Sequence, residues 1–175
     1  MWPIAESARL DYGVYASSIG VGSISLLLGG GLPVCFCGCG YAGIKSLDDR
    51  EFITSFQVMD RIIHNNQPVF LLVWIGSIVT LLDAALIGFW QLNDVAWYLL
   101  FIVTLLYLLG VHLPTVFIHL PLNKQLQAKD VTSLNGQGQR EARNKFEQRW
   151  NLSNLIRTGV ACLTSVLLMI LLFIL

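Results

Sequence analysis

The chain has 175 residues, of which 55% are hydrophobic and only 13% charged, where a soluble domain carries about a quarter charged residues. Eleven Lys and Arg balance eleven Asp and Glu, which excludes a bulk basic surface for nucleic acid and an acidic tail. The length allows a single domain, and a mean hydropathy of +0.65 makes it a membrane domain.

Residues 1–13 hold Glu6, Arg9 and Asp11 rather than a basic leader, so the first apolar stretch is expected to stay in the chain as a span. It covers about 14–37 and is rich in small residues, with Gly29–Gly31 and Pro33 predicting a kink or local unwinding inside a bundle. Cys35, Cys37 and Cys39 follow at a spacing of two. On a helix that spacing turns Cys37 away from the other two, so it does not read as a zinc motif. Packing cysteines are the expectation, with palmitoylation as the alternative.

Residues 46–66 read as a separate amphipathic helix. Ser46 with Asp49 has a capping-box pattern, and Phe52, Ile53, Phe56, Met59 and Ile63 recur at helical spacing. Asp60 falls on that apolar stripe and calls for a partner, Arg157 or Arg61, while His64 lies one turn later at its edge. Pro68 then opens a second span over about 68–89. Within it Asp83 reads as a buried carboxylate held by a structural hydrogen bond. A tight turn at 90–95 makes the third span, about 96–118, its antiparallel neighbour. The loop 119–154 begins with Pro121 and Asn123 and turns through Thr132 to Gly138. A charged helix builds from Gln139 into a fourth span, about 155–175, with Phe146, Trp150, Asn154, Arg157 and Ala161 on one inward face. Each apolar stretch has roughly the 20 residues needed to cross a bilayer. The expected architecture is therefore an all-α integral membrane four-helix bundle with an extra amphipathic helix between spans one and two.

Ten of the eleven Lys and Arg lie in the two longer loops or at their edges; Arg9 is the exception. The positive-inside rule places loops 38–67 and 119–154 in the cytoplasm and both termini outside.

No Walker loop, dinucleotide fingerprint, HExxH or nucleophile elbow is present. What remains is a convergence near the cytoplasmic span ends: Asp60, His64, Asn66, His119, Asn123, Asn154 and Arg157. His112 lies two turns deeper than His119 on the same face, about 10 Å away. Three histidines, a carboxylate and an arginine at one end of a bundle make a candidate pocket. The histidines with Asp60 also carry the donor types for iron, copper or zinc, although nothing in their spacing demands a metal.

Read in order, the chain has a glycine-rich first span, Met59-Asp60-Arg61-Ile62-Ile63, and Gln67-Pro68-Val69-Phe70 opening span two. Gly110, Pro121-Leu122-Asn123, and Trp150, Asn154 and Arg157-Thr158 opening span four complete the pattern. It resembles the DUF1772, or anthrone oxygenase-like, family of small four-helix membrane proteins across nearly its whole length. His112, His119 and the cysteine run lie outside the family's pattern, and Gln67 stands where the family usually has Asn. The resemblance implies oxidation of an apolar aromatic, polyketide-type substrate by O₂ without a cofactor or metal. His119 or His64 would take the proton, and Arg157, Asn154 and Asn123 would stabilise the resulting anion. The partners expected are the lipid bilayer and an apolar aromatic small molecule, not nucleic acid. The alternative is a non-enzymatic accessory or structural subunit, oligomeric or within a membrane complex, whose polar cluster only locks its helices. A transporter is a third reading, weakened by the lack of an evident repeat.

Overall fold

The computed structural model describes residues 41–66 and 68–174, without the side chains of residues 63–66, 69 and 70. The first expected span, 14–37, and Cys35, Cys37 and Cys39 lie outside the described residues.

The architecture is all-α. A short α1 (Tyr41–Lys45) leads into α2 (Asp49–Asn66), α3 (Pro68–Gln91) and α4 (Asp94–Tyr107). Two π-helical segments, Leu108–His112 and Thr115–His119, join α4 to α5 (Leu120–Gln127), and α6 (Gly136–Ile174) closes the chain. Three helices among the described residues are long and apolar enough to cross a membrane: α3, the continuous Asp94–Gln127 helix and α6.

Local chemistry explains the helix starts. Asp48 caps α2 by accepting the Glu51 N–H at 2.7 Å, whereas the Ser46 hydroxyl turns back to the Gly43 carbonyl. The cap is therefore Asp48 and not the Ser46–Asp49 box, because the helix begins two residues later than the spacing suggested. Asn93 caps α4 through the Ala96 N–H, and Asn135 caps α6 through the Gly138 N–H.

The third span also differs from expectation, running nine residues past 118 to Gln127. Pro114 and Pro121 each lack an N–H and press their rings toward the carbonyl four residues back. Ahead of each proline the ladder widens. Leu113 donates to the Leu108 carbonyl and Leu120 to the Thr115 carbonyl, five residues back in both cases. The wider turns absorb the prolines and keep the helix continuous. At 1.5 Å per residue this helix and α6 are about 51 and 58 Å long, well beyond the ~30 Å hydrocarbon core. Their excess extends at the end where α2 sits.

Two cores result. Within the spans, Leu81 and Ala84 of α3 meet Leu100, Val103 and Tyr107 of α4 and Ala161, Leu168 and Leu171 of α6. At the loop end, Phe52, Ile53 and Phe56 of α2 pack with Leu122, Leu126, Phe146 and Trp150. The outward faces of the spans are apolar, with Leu72 at 72% and Phe173 at 92% exposure. Such surface is stable against lipid and not against water.

Asp83 is exposed, contrary to the buried position expected. The inward stripe of α3 is Ser77, Leu81, Ala84 and Gly88. A residue two after Leu81 lies about 200° round the helix, on the far side.

Candidate functional site

The polar residues of the bundle divide into two groups, layered along the Asp94–Gln127 helix. The outer group sits at the loop end. Asp60, buried on α2, accepts from Asn123 Nδ2 at 2.7 Å and from Gln127 Nε2 at 3.1 Å. Asn123 Oδ1 in turn accepts from the Trp150 indole at 3.2 Å. The partner demanded by Asp60 is therefore a pair of amides on α5. Neither Arg157 nor the exposed Arg61 forms an ion pair with it among the described residues. The continuation of the helix past Pro121 is the reason, because it carries Asn123 and Gln127 alongside α2. Both ends of the Asn123 amide are engaged, so it ties three helices together.

Nearby, Arg143 braces the same end. It donates to the Lys45 and Leu47 carbonyls, pairs with Asp49 at 3.1 Å and Glu147 at 2.8 Å, and stacks over Phe52. The Tyr41 hydroxyl, which donates to Glu147, is raised above the usual phenol range by burial and by that carboxylate.

The inner group lies deeper in the bundle. Arg157 of α6 faces inward. It donates to Asn154 Oδ1 at 2.6 Å and to Thr115 Oγ1 at 3.1 Å, while the Thr115 hydroxyl donates to the Val111 carbonyl. Both partners are neutral, and Arg157 Nε is buried without a partner among the described residues. An ionisable residue facing the interior of a membrane bundle is a default candidate for a functional role.

Two imidazoles flank it. His112 and His119 are 6% and 4% exposed, and none of their four ring nitrogens has a hydrogen-bond partner among the described residues. His112 packs edge-on against Trp74 of α3 at 5.1 Å and Tyr107 at 4.8 Å; the Trp74 indole N–H is also unpartnered. His119 packs edge-on against Trp150 of α6 at 5.1 Å. Thr115 lies between the two histidines in sequence, three after one and four before the other. The guanidinium it holds therefore sits at a level between the two rings. Buried polar atoms left unpaired cost about 1–3 kcal/mol each. The two rings and Arg157 Nε are thus polar groups whose hydrogen-bonding capacity is unused among the described residues.

Of the residues expected in the site, the structure brings His119, Arg157 and Asn154 together and assigns Asn123 to the outer group. His64 lies in the last turns of α2, and its side chain lies outside the described residues. No group of three or more His, Cys, Asp and Glu side chains suited to a metal occurs among the described residues. Sequence reasoning overlooked Thr115, Trp74 and Tyr107. One signal was present in the repeat His112-Leu113-Pro114 and His119-Leu120-Pro121, in which each histidine ends a π turn just ahead of a proline. Trp74 had no such signal.

A family model described as anthrone oxygenase matches residues 56–167, more than half of the chain. The chain belongs to the anthrone oxygenase family. No curated protein and no solved structure gives a match. The anthrone oxygenase match takes in Asp60, Trp74, His112, Thr115, His119, Asn123, Trp150, Asn154 and Arg157, and so both polar groups lie inside it.

Proposed function

We propose that this anthrone oxygenase-family protein oxidises an apolar aromatic ketone of the anthrone type with O₂, using side chains rather than a cofactor. An anthrone is a carbon acid: loss of a proton from its ring CH₂ gives a delocalised, phenolate-like anion. That anion transfers an electron to O₂, and the resulting radical pair combines to a carbon-bound peroxide. Protonation and loss of water then leave a second carbonyl. One oxygen atom ends in the product and the other in water.

The observation that carries this reading is Arg157, an inward-facing, half-buried cation held among the described residues by a hydroxyl and an amide, beside imidazoles whose nitrogens are unpartnered among the described residues. A cation without a carboxylate favours an oxyanion in a water-poor site, and an imidazole within reach of the CH₂ is a general base. His119 is assigned as that base. Asn154 orients Arg157, and Asn123 positions Trp150 behind His119. An apolar exterior lets a flat, lipid-soluble substrate arrive through the bilayer. We propose the orientation given by the Lys and Arg bias, with both longer loops in the cytoplasm.

The test follows O₂ uptake and quinone formation by metal-stripped protein in nanodiscs supplied with an anthrone. Acceleration over the spontaneous reaction is expected, and His119→Gln lowers it by about 10²–10⁴-fold with helix content unchanged. No acceleration, or activity that returns only with added iron or copper, overturns the proposal.

A further inference from the structure

Asp83 has no place in the site described above. Trp74 packs against His112, and Asp83 stands nine residues further along α3, about 13 Å nearer the end opposite the loops. Exposed Phe89, Trp90 and Tyr98 form an aromatic belt at that end, of the kind that marks the membrane–water boundary. Asp83 is seven residues short of Trp90 and so about 10 Å inside the belt. Its neighbours one turn to either side on the same face, Val79 and Leu86, are 49% and 61% exposed. The acid therefore opens onto the apolar outer surface, with no hydrogen bond or ion pair to another described residue. Nor does it reach the nearer boundary, because the Cα–Cβ bond of a helical residue tilts toward the helix N-terminus. In α3 that direction leads to the middle of the bilayer.

Ionisable residues within spans almost always face protein or a water-filled cavity. The cations of the described chain do not answer Asp83. Every described Lys and Arg other than Arg157 lies at the loop end, and Arg157 faces inward, held by Asn154 and Thr115. A second copy, related by an axis along the bilayer normal, would set acid against acid at one level. What complements this surface is a base at the same depth. The face also admits a close neighbour. At Gly76, two turns from Asp83 on the same side, an added Cβ would meet nothing within 4 Å, and small residues of this kind let helix backbones approach.

We propose that the outer face of α3 around Asp83 is a docking surface for another membrane protein, one whose transmembrane helix carries a lysine or arginine about 10 Å inside the boundary opposite the loops. The proposal is independent of the oxidation chemistry. Asp83 supplies the charge that selects the partner, and Gly76 supplies the room for its backbone.

The experiment uses the full-length protein in liposomes, with synthetic Leu-Ala transmembrane peptides as the probe. One peptide has a single lysine seven residues inside its tryptophan flank, and a second has leucine there. Energy transfer from the labelled protein to each peptide is followed as peptide density rises. The lysine peptide should associate saturably, and either the leucine peptide or Asp83→Asn should weaken association by about tenfold or more. An aspartate peptide should associate with Asp83→Lys and not with wild type. Asp83→Asn should keep the wild-type thermal midpoint, since no described residue bonds to the carboxyl group. Equal association of the lysine and leucine peptides, or association untouched by Asp83→Asn, overturns the proposal. So does failure of the lysine peptide to bind. Asp83-dependent transfer between two labelled copies, without peptide binding, overturns it in favour of a homo-oligomer. A lowered midpoint in Asp83→Asn overturns it in favour of a contact within the chain.

Discussion

Gly110 tests the fold and the site together. It lies in the first π turn, and a Cβ placed there would meet the Val160 side chain at 2.7 Å (Cγ1), 3.1 Å (Cγ2) and 3.2 Å (Cβ). The optimum for carbon–carbon contact is about 3.5–4.0 Å, so the closest pair falls short by roughly 0.8 Å or more. Val160 cannot yield by rotation, because a β-branched residue in a helix is held to one rotamer. The helices themselves must therefore separate. Overpacking of this kind costs about 1–3 kcal/mol, and at ~2–4 °C per kcal/mol for a chain of this length Gly110→Ala lowers the unfolding midpoint by several degrees. The change also reaches the site, since Gly110 is two residues before His112 and Val160 three after Arg157. Thermal unfolding in nanodiscs, followed by circular dichroism, gives the measurement, and Val160→Ala supplies the control. With the branch removed, the closest remaining approach is Cβ to Cβ at 3.2 Å, so most of the clash is relieved and the double variant should show a coupling of roughly 1 kcal/mol or more. A Gly110→Ala protein as stable as wild type would refute the close approach. An equal loss in the Val160→Ala background would assign the effect to backbone conformation instead.

Asn123→Leu takes from buried Asp60 one of its two amide donors. We expect a loss of about 1–3 kcal/mol, larger than that of the exposed neighbour change Lys124→Leu, in denaturant unfolding of nanodisc-reconstituted protein; equal losses would remove Asn123 from its tying role. Orientation is checked by single cysteines placed at Gln137, in a background lacking the native ones. Labelling from the cytoplasmic side is expected, and labelling only from outside would reverse the topology.

Fold class and the inward face of the last helix were legible in the residues alone, because each depends on local periodicity. Three of the four expected spans fall among the described residues, and each is a long apolar helix. The stripe Phe146, Trp150, Asn154 and Ala161 is buried as expected, with Arg157 turned to the same side. The Asp60 stripe on α2 was equally readable, since an acid among Phe52, Ile53 and Phe56 stands out at a period of 3.6.

The partners of Asp60 were not legible, because they depend on how far helices extend and at what level they meet. Pro121 has the appearance of a helix end in sequence, and only the π turn before it shows that the backbone can widen and continue. That continuation moved Asn123 and Gln127 beside Asp60 and left Arg157 without an acid among the described residues. The sequence by itself pointed to three histidines, a carboxylate and an arginine at one end of a membrane bundle, of which the His64 side chain lies outside the described residues. The tertiary structure decided that the cation is held by the neutral Thr115 and Asn154, with its Nε unpartnered among the described residues. The physical reason is that charge compensation is a property of distance between helices, which no periodicity along one helix encodes.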